Sequence, residues 1–151
     1  MKGAPQDVIG NDDTLSSTGR AYFGDRLSPE QIEQTKRHPI FLHLQRLNRI
    51  RREIPALQKG QMTHVMEGRN TLSFVRNCES PHSYAVVGLT IGSAAHFCVR
   101  GIRSGIFRDA VTGRQVEVGG DFLEFDVEPN SAGIYVLDGP GKIGTDGPFL
   151  R

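Results

Sequence analysis

From Gly60 to Leu137 no link between apolar segments is long enough to hold a helix, and this governs what the chain can fold into. Short runs rich in Val, Ile, Phe and Tyr fall at 62–66, 71–76, 84–90, 95–99, 105–109, 115–118, 122–127 and 133–137. Turn signals separate them: "EGRN", "NCESPH", "IGS", "RSG", "VTGR", "GGD" and "EPNSAG". Parallel neighbours need crossovers of roughly a dozen residues or more, so these links predict antiparallel pairing. Leu123, Phe125 and Val127 alternate with Glu124 and Asp126, which marks a strand with one wet face. "AVVGLTI" (85–91) is almost continuously apolar and predicts a central strand covered on both sides. The expected fold is mainly β: an antiparallel sandwich of about eight strands, of Greek-key type, preceded by an irregular arm and one or two α-helices.

Helical grammar precedes the strands. In "SPEQ", Ser28 suits an N-cap, Pro29 the first helical position, and Gln31 completes a capping box. Pro39 disfavours helical geometry at His38, so a break or a fresh start is expected there. Beyond it Ile40, Leu44, Leu47, Ile50 and Ile54 recur at spacings of three and four, with Phe41 and Leu57 widening the stripe. Arg46, Arg49 and Arg52 fall on the other side. Pro55 ends this helix and Gly60 turns the chain. The expected organisation is an irregular arm over 1–27, a helical segment over 28–59, a β-sandwich over 60–138 and an irregular tail over 139–151.

Charge and composition exclude several functions. A net charge of +1 argues against a dedicated nucleic-acid binder. No aromatic residues interleave with Arg46, Arg49 and Arg52, so a stacking platform for single strands is not supported. No segment approaches the roughly 20 apolar residues of a membrane span, and the first residues carry no apolar run. No membrane partner and a cytoplasmic location are expected. Cys78 and Cys98 are two thiols without a framework; reduced and partly buried is the expectation, with a bridge between them left open.

No site motif is complete. "GPGKIG" (139–144) lacks the spacing and following helix of a phosphate loop. Asp12 and Asp13 adjoin in "NDDT" without the alternating ligands of a calcium loop. His38, His43, His64, His82 and His96 show no zinc spacing with a cysteine. No catalytic residue, no metal ligand and no cofactor are assigned, and substrate-binding residues stay unassigned. Tyr22, Tyr84 and Tyr135 are the candidates for a sugar contact in a chain without Trp.

The order of parts carries a resemblance. "HPIFLHLQRLNRIRREIPALQKGQ", then "LSFVRN", then the β segments, resembles the C-terminal part of alpha-amylase family enzymes (glycoside hydrolase family 13). The last barrel helix of that family is similar through His38, Pro39, Phe41, Leu47, Ile50, Arg51, Pro55, Ala56, Leu57 and Gly60. Leu72, Phe74, Val75 and Arg76 resemble its next strand. Asp109, Gly113 and Val116 in "GIFRDAVTGRQVEV" resemble its D-x-x-x-G hairpin, and "FLEFDVEPNSAGIYVL" its closing strand pair. "YFGD" (22–25) is similar to a family segment after the last barrel strand.

The resemblance implies a non-catalytic region of an alpha-glucan hydrolase or transglycosylase that stabilises the catalytic barrel. It implies no hydrolysis from this chain alone. Glycoside hydrolysis needs two carboxylates flanking the scissile bond, and the family's lie on earlier barrel strands. The implied partner is the missing catalytic barrel in cis, or an oligomer partner against the helix, with an alpha-glucan as a further ligand. The rival expectations are a stand-alone sandwich module that binds carbohydrate and a protein-interaction subunit. An uncovered Ile40/Leu44/Leu47 face on the isolated chain would favour the barrel reading.

Overall fold

A computed structural model describes residues 29–138. Three helices come first: α1 (Pro29–Arg37), α2 (Pro39–Glu53) and α3 (Pro55–Lys59). Each begins on a proline, whose fixed φ and missing N–H suit the first helical position. Pro55 thus ends α2 and starts a five-residue helix of its own, one more helix than the sequence reading allowed. Ser28 lies outside the described residues.

Eight strands follow: β1 (Gln61–Glu67), β2 (Thr71–Cys78), β3 (Ser83–Thr90), β4 (Ala95–Arg100), β5 (Gly105–Asp109), β6 (Gln115–Val118), β7 (Phe122–Val127) and β8 (Ala132–Leu137). All pairings are antiparallel. The sandwich is unequal. Six strands form one sheet in the order β1-β2-β3-β8-β5-β6, and β4 pairs with β7 in a separate ribbon. Strand β7 crosses to the ribbon, and β8 returns to the large sheet beside β5.

Strand parity sorts the side chains of the large sheet onto two cores. On one face Phe74, Ala85, Val87, Ile134 and Val136 pack with Ile50, Ile54 and Ala56 from the helices. On the other, Val75, Tyr84, Val86, Phe107 and Tyr135 pack with Phe97, Val99, Leu123, Phe125 and Val127 from the ribbon. Strand β3 lies between β2 and β8 and contributes to both cores, so its apolar run is the central strand expected. Strand β7 alternates exposed and buried along its whole length, as its sequence predicts.

One contact sets the approach of the ribbon. Gly88 of β3 and Gly133 of β8 face each other in register. A Cβ on Gly88 would stand 2.7 Å from Phe125 Cε2, and one on Gly133 2.9 Å from the same atom. The two glycines are therefore a bare patch on which the Phe125 ring lies. Phe125 stacks on Phe97 (centroids 5.3 Å apart) and meets Tyr135 at 4.5 Å. Strand β1 differs from the rest. It is an edge strand exposed along its whole length, with a register shift between Thr63 and Met66 and His64 at φ 53°. A bulge of this kind spoils an edge as a template for further pairing.

The described residues divide into two units, with the boundary inside α2 between Leu42 and His43. Within the second unit the end of α2 and all of α3 are anchored in the sandwich core by Ile50, Ile54 and Ala56. Toward its start α2 is bare: Ile40 is 65% exposed and Leu44 52%, while Leu47 is half-buried. The stripe read as one apolar face is thus half used.

Candidate functional site

The β5–β6 hairpin is built around one carboxylate. Asp109, 2% exposed, accepts from the amides of Val111 (3.1 Å) and Ile134 (2.8 Å) at Oδ1. At Oδ2 it accepts from the Thr112 amide (3.0 Å) and hydroxyl (2.6 Å). The turn closes through Gly113 N–H to Asp109 C=O at 2.8 Å, with Gly113 at φ 78°, where a side chain would be strained. A carboxylate buried among apolar groups is tolerated only with its acceptor sites filled, and here four donors fill them. The Ile134 bond staples the hairpin to β8, its neighbour in the large sheet.

Beside this turn lies an open cleft of about 330 Å³ between the hairpin, the end of β7 and the start of β8. Its polar groups are Asp109, Thr112, Arg114, Asp126, Glu128, Ser131 and Tyr135, and its apolar surface includes Val127 and Ala132. Asp126 is held by His96 Nδ1 at 2.8 Å on the outer face of the ribbon. Tyr135 is 2% exposed. Burial pushes its phenol up to about 12; the Asp109 and Asp126 carboxylates add to the rise and the Arg114 guanidinium opposes it. Tyr84 is raised too, mainly by burial, while Arg103 pulls it down and lies 4.9 Å over its ring.

The sign of the Tyr135 shift has a consequence at high pH. The fold favours the neutral phenol, so its contribution is full below pH 10 and is lost as pH rises through about 12. The urea midpoint of the wild type is expected to fall relative to Tyr135→Phe between pH 10 and 12. Parallel curves for the two proteins would show the phenol is not held neutral by the fold.

The remaining candidates scatter. His38 Nδ1 accepts from the Ile40 amide at 3.3 Å in the break between α1 and α2, and His43 is exposed on α2. His64 Nδ1 pairs with Thr63 Oγ1 at 3.0 Å, and His82 is exposed between β2 and β3. No three His, Cys, Asp or Glu among the described residues could hold a metal ion. Arg46, Arg49 and Arg52 are exposed on α2, and Arg51 and Arg52 border a second cleft of about 240 Å³ with Asn48 and Gln58. Cys78 is buried, Cys98 partly so, and both are free. No helix among the described residues is long and apolar enough to cross a membrane. Tyr22, Asp12, Asp13, "YFGD" and "GPGKIG" lie outside the described residues.

Sequence reasoning named Asp109 and Tyr135 but not their surroundings. "DAVTG" carried a signal, since an Asp followed by Thr three residues on can close its own turn through side-chain bonds. Arg114, Ser131 and Asp126 were missed, because the cleft joins segments far apart in the chain.

No protein-family model matches the chain, and no curated protein matches it. Solved structures do. An alpha-amylase from Anoxybacillus is similar over 88% of this chain at 20% identity, with a TM-score of 0.54. An alpha-amylase from Geobacillus thermoleovorans, solved with acarbose, is similar over 88% at 17% identity and a TM-score of 0.55. A cyclomaltodextrin glucanotransferase with three domains is similar over 67% at 19% identity and a TM-score of 0.52. The chain spans only 27%, 28% and 22% of these structures. At such identities the likeness is one of fold, and the fold described above is one that alpha-amylase structures contain as a part of a longer chain.

Proposed function

We propose that this chain is the non-catalytic C-terminal region of an alpha-amylase-like hydrolase or transglycosylase acting on alpha-glucans, and that it stabilises the catalytic barrel. The observation that carries this reading is the division of α2. Its end is locked into the sandwich by Ile50, with Ile54 just beyond it, while Ile40 and Leu44 are exposed among the described residues. A helix that serves two bodies has this form: one end belongs to the sandwich and the other waits for the barrel. The motif order from His38 to Leu137 and the fold shared with alpha-amylase structures support the same assignment. Asp109, the buried carboxylate, is committed to four hydrogen bonds that hold its hairpin, and in this reading hydrolysis falls to carboxylates of the barrel.

The test uses the bare surface. In sedimentation velocity the 151-residue chain is expected to self-associate, and Ile40→Gln with Leu44→Gln to return it to a monomer with an unchanged Tm. Joining the chain to the coding sequence upstream of Met1 should protect the α2 amides from exchange and yield alpha-glucan activity. A monomeric wild-type chain, or an upstream frame that encodes no barrel, would remove the basis for this reading.

A further inference from the structure

We propose that the cleft between the end of α2 and α3 binds a small oxyanion, held by the Arg51 guanidinium together with Arg52, Asn48 and Gln58. The cleft, about 240 Å³, is lined by those four residues, and none of them is acidic. Asn48, Arg51 and Arg52 stand at i, i+3 and i+4, so they share one face of α2. Gln58 comes from α3 and closes the other side, where its Nε2 donates to the Arg52 carbonyl at 2.7 Å. The backbone beneath is held in place, because Ile50, Ile54 and Ala56 are almost wholly buried. A row of arginines on a wet helix face needs no ligand, and Arg46 is of that kind. Arg51 and Arg52 differ, since a second element is bonded across the end of their helix and makes a recess with them.

The charges choose the ligand class. Four arginines face one glutamate along α2. That glutamate, Glu53, meets Arg52 Nε at 3.8 Å and does not line the cleft. Among the described residues no carboxylate pairs with Arg51. The Arg52 carbonyl, which a guanidinium could otherwise cap, is taken by Gln58. The two guanidiniums present only donors, and Asn48 and Gln58 each carry an amide NH₂ group. A cation is repelled here, and a neutral ligand leaves the charge uncompensated. An oxyanion accepts from all four side chains, and a guanidinium fork matches two of its oxygens at once. The space is below the usual range of small-molecule sites, which suits a phosphate or carboxylate group and not a nucleotide. A free anion and the acidic side chain of a docked protein bring the same chemistry to Arg51.

The isotopically labelled 151-residue chain can be titrated with inorganic phosphate and with acetate, at an ionic strength held constant with sodium chloride, while amide NMR shifts are followed. Binding should move the amides of 48–58 along a saturating curve and leave those of β3 in place. Arg51→Gln should weaken binding about tenfold, as loss of hydrogen bonds to a charged group does. Arg51→Lys should lose most of the affinity too, because an ammonium lacks the fork. Arg46→Gln removes the same charge from the same helix outside the cleft, and screening should keep its effect within about twofold. All three variants change exposed side chains and should keep the wild-type Tm. Shifts that grow without saturating, or an equal loss in Arg46→Gln and Arg51→Gln, would overturn the site. Phosphate binding more tightly than acetate assigns the site to phosphate or its esters. Acetate binding at least as tightly as phosphate assigns it to a carboxylate side chain. The sedimentation test of the barrel reading is independent of these outcomes, because Ile40 and Leu44 take no part in the cleft.

Discussion

Asp109→Ala is expected to cost about 4 kcal/mol and to leave the chain close to unfolding at ordinary temperature. The estimate follows from what the carboxylate holds. The substitution strips the partner from two buried amides, Val111 and Ile134, at roughly 1–3 kcal/mol each. The Thr112 amide and hydroxyl lose theirs too but can reach water, so they add little. Small domains are stable by only about 5–15 kcal/mol, so this is a large share. Asp109→Asn keeps one acceptor oxygen but turns an NH₂ group toward donors, and about half the loss is expected. Urea denaturation followed by circular dichroism measures both. A cost below about 1 kcal/mol for the alanine variant would mean that both amides find other partners, and that the hairpin is not stapled to β8 through this side chain.

Local grammar made most of this fold legible. The predicted strands 105–109, 115–118 and 122–127 coincide with β5, β6 and β7, and the others differ by one or two residues at their ends. Period-two alternation and turn residues are local signals, and strand existence depends on little else. Partition of the strands into six and two depends on pairings such as Val86 with Tyr135, which no window along the chain contains. The same holds for α2. Its apolar period was plain, but its division into a buried end and a bare start depends on how far the sandwich reaches. The Asp109 turn was half legible: Thr112 is three residues on, whereas the Ile134 amide comes from 25 residues away. The cleft was not legible, because Arg114, Asp126 and Ser131 meet only once β7 and β8 are in place.

The second large effect should come from Phe125, and it should be coupled to a glycine. Phe125→Ala removes the ring that lies on Phe97 and Tyr135 and is expected to cost about 3–5 kcal/mol. Gly133→Ala places a Cβ 2.9 Å from Phe125 Cε2 and 3.2 Å from Tyr135 Cε2, and overpacking of this kind costs about 1–3 kcal/mol. The two costs should not add. Once the Phe125 ring is gone, the new methyl group enters the space it left, so the double variant should be no less stable than Phe125→Ala alone. The expected coupling is therefore nearly the whole cost of the glycine change, within the range of about 0.5–3 kcal/mol found for residues in contact. Four urea curves close the cycle. Strict additivity would mean that the methyl group is rejected by something other than the ring, such as Tyr135. In that case the facing glycines would not be what sets the approach of the ribbon to the sheet. Gly88→Ala provides the control on the opposite strand, since its Cβ would meet Phe125 at 2.7 and 2.9 Å and Phe97 at 3.1 Å. If Gly88 and Gly133 form one surface under one ring, Phe125→Ala should relieve both substitutions. If only one is relieved, the ribbon rests on a single strand, and the register of Gly88 with Gly133 has no bearing on how the two sheets meet.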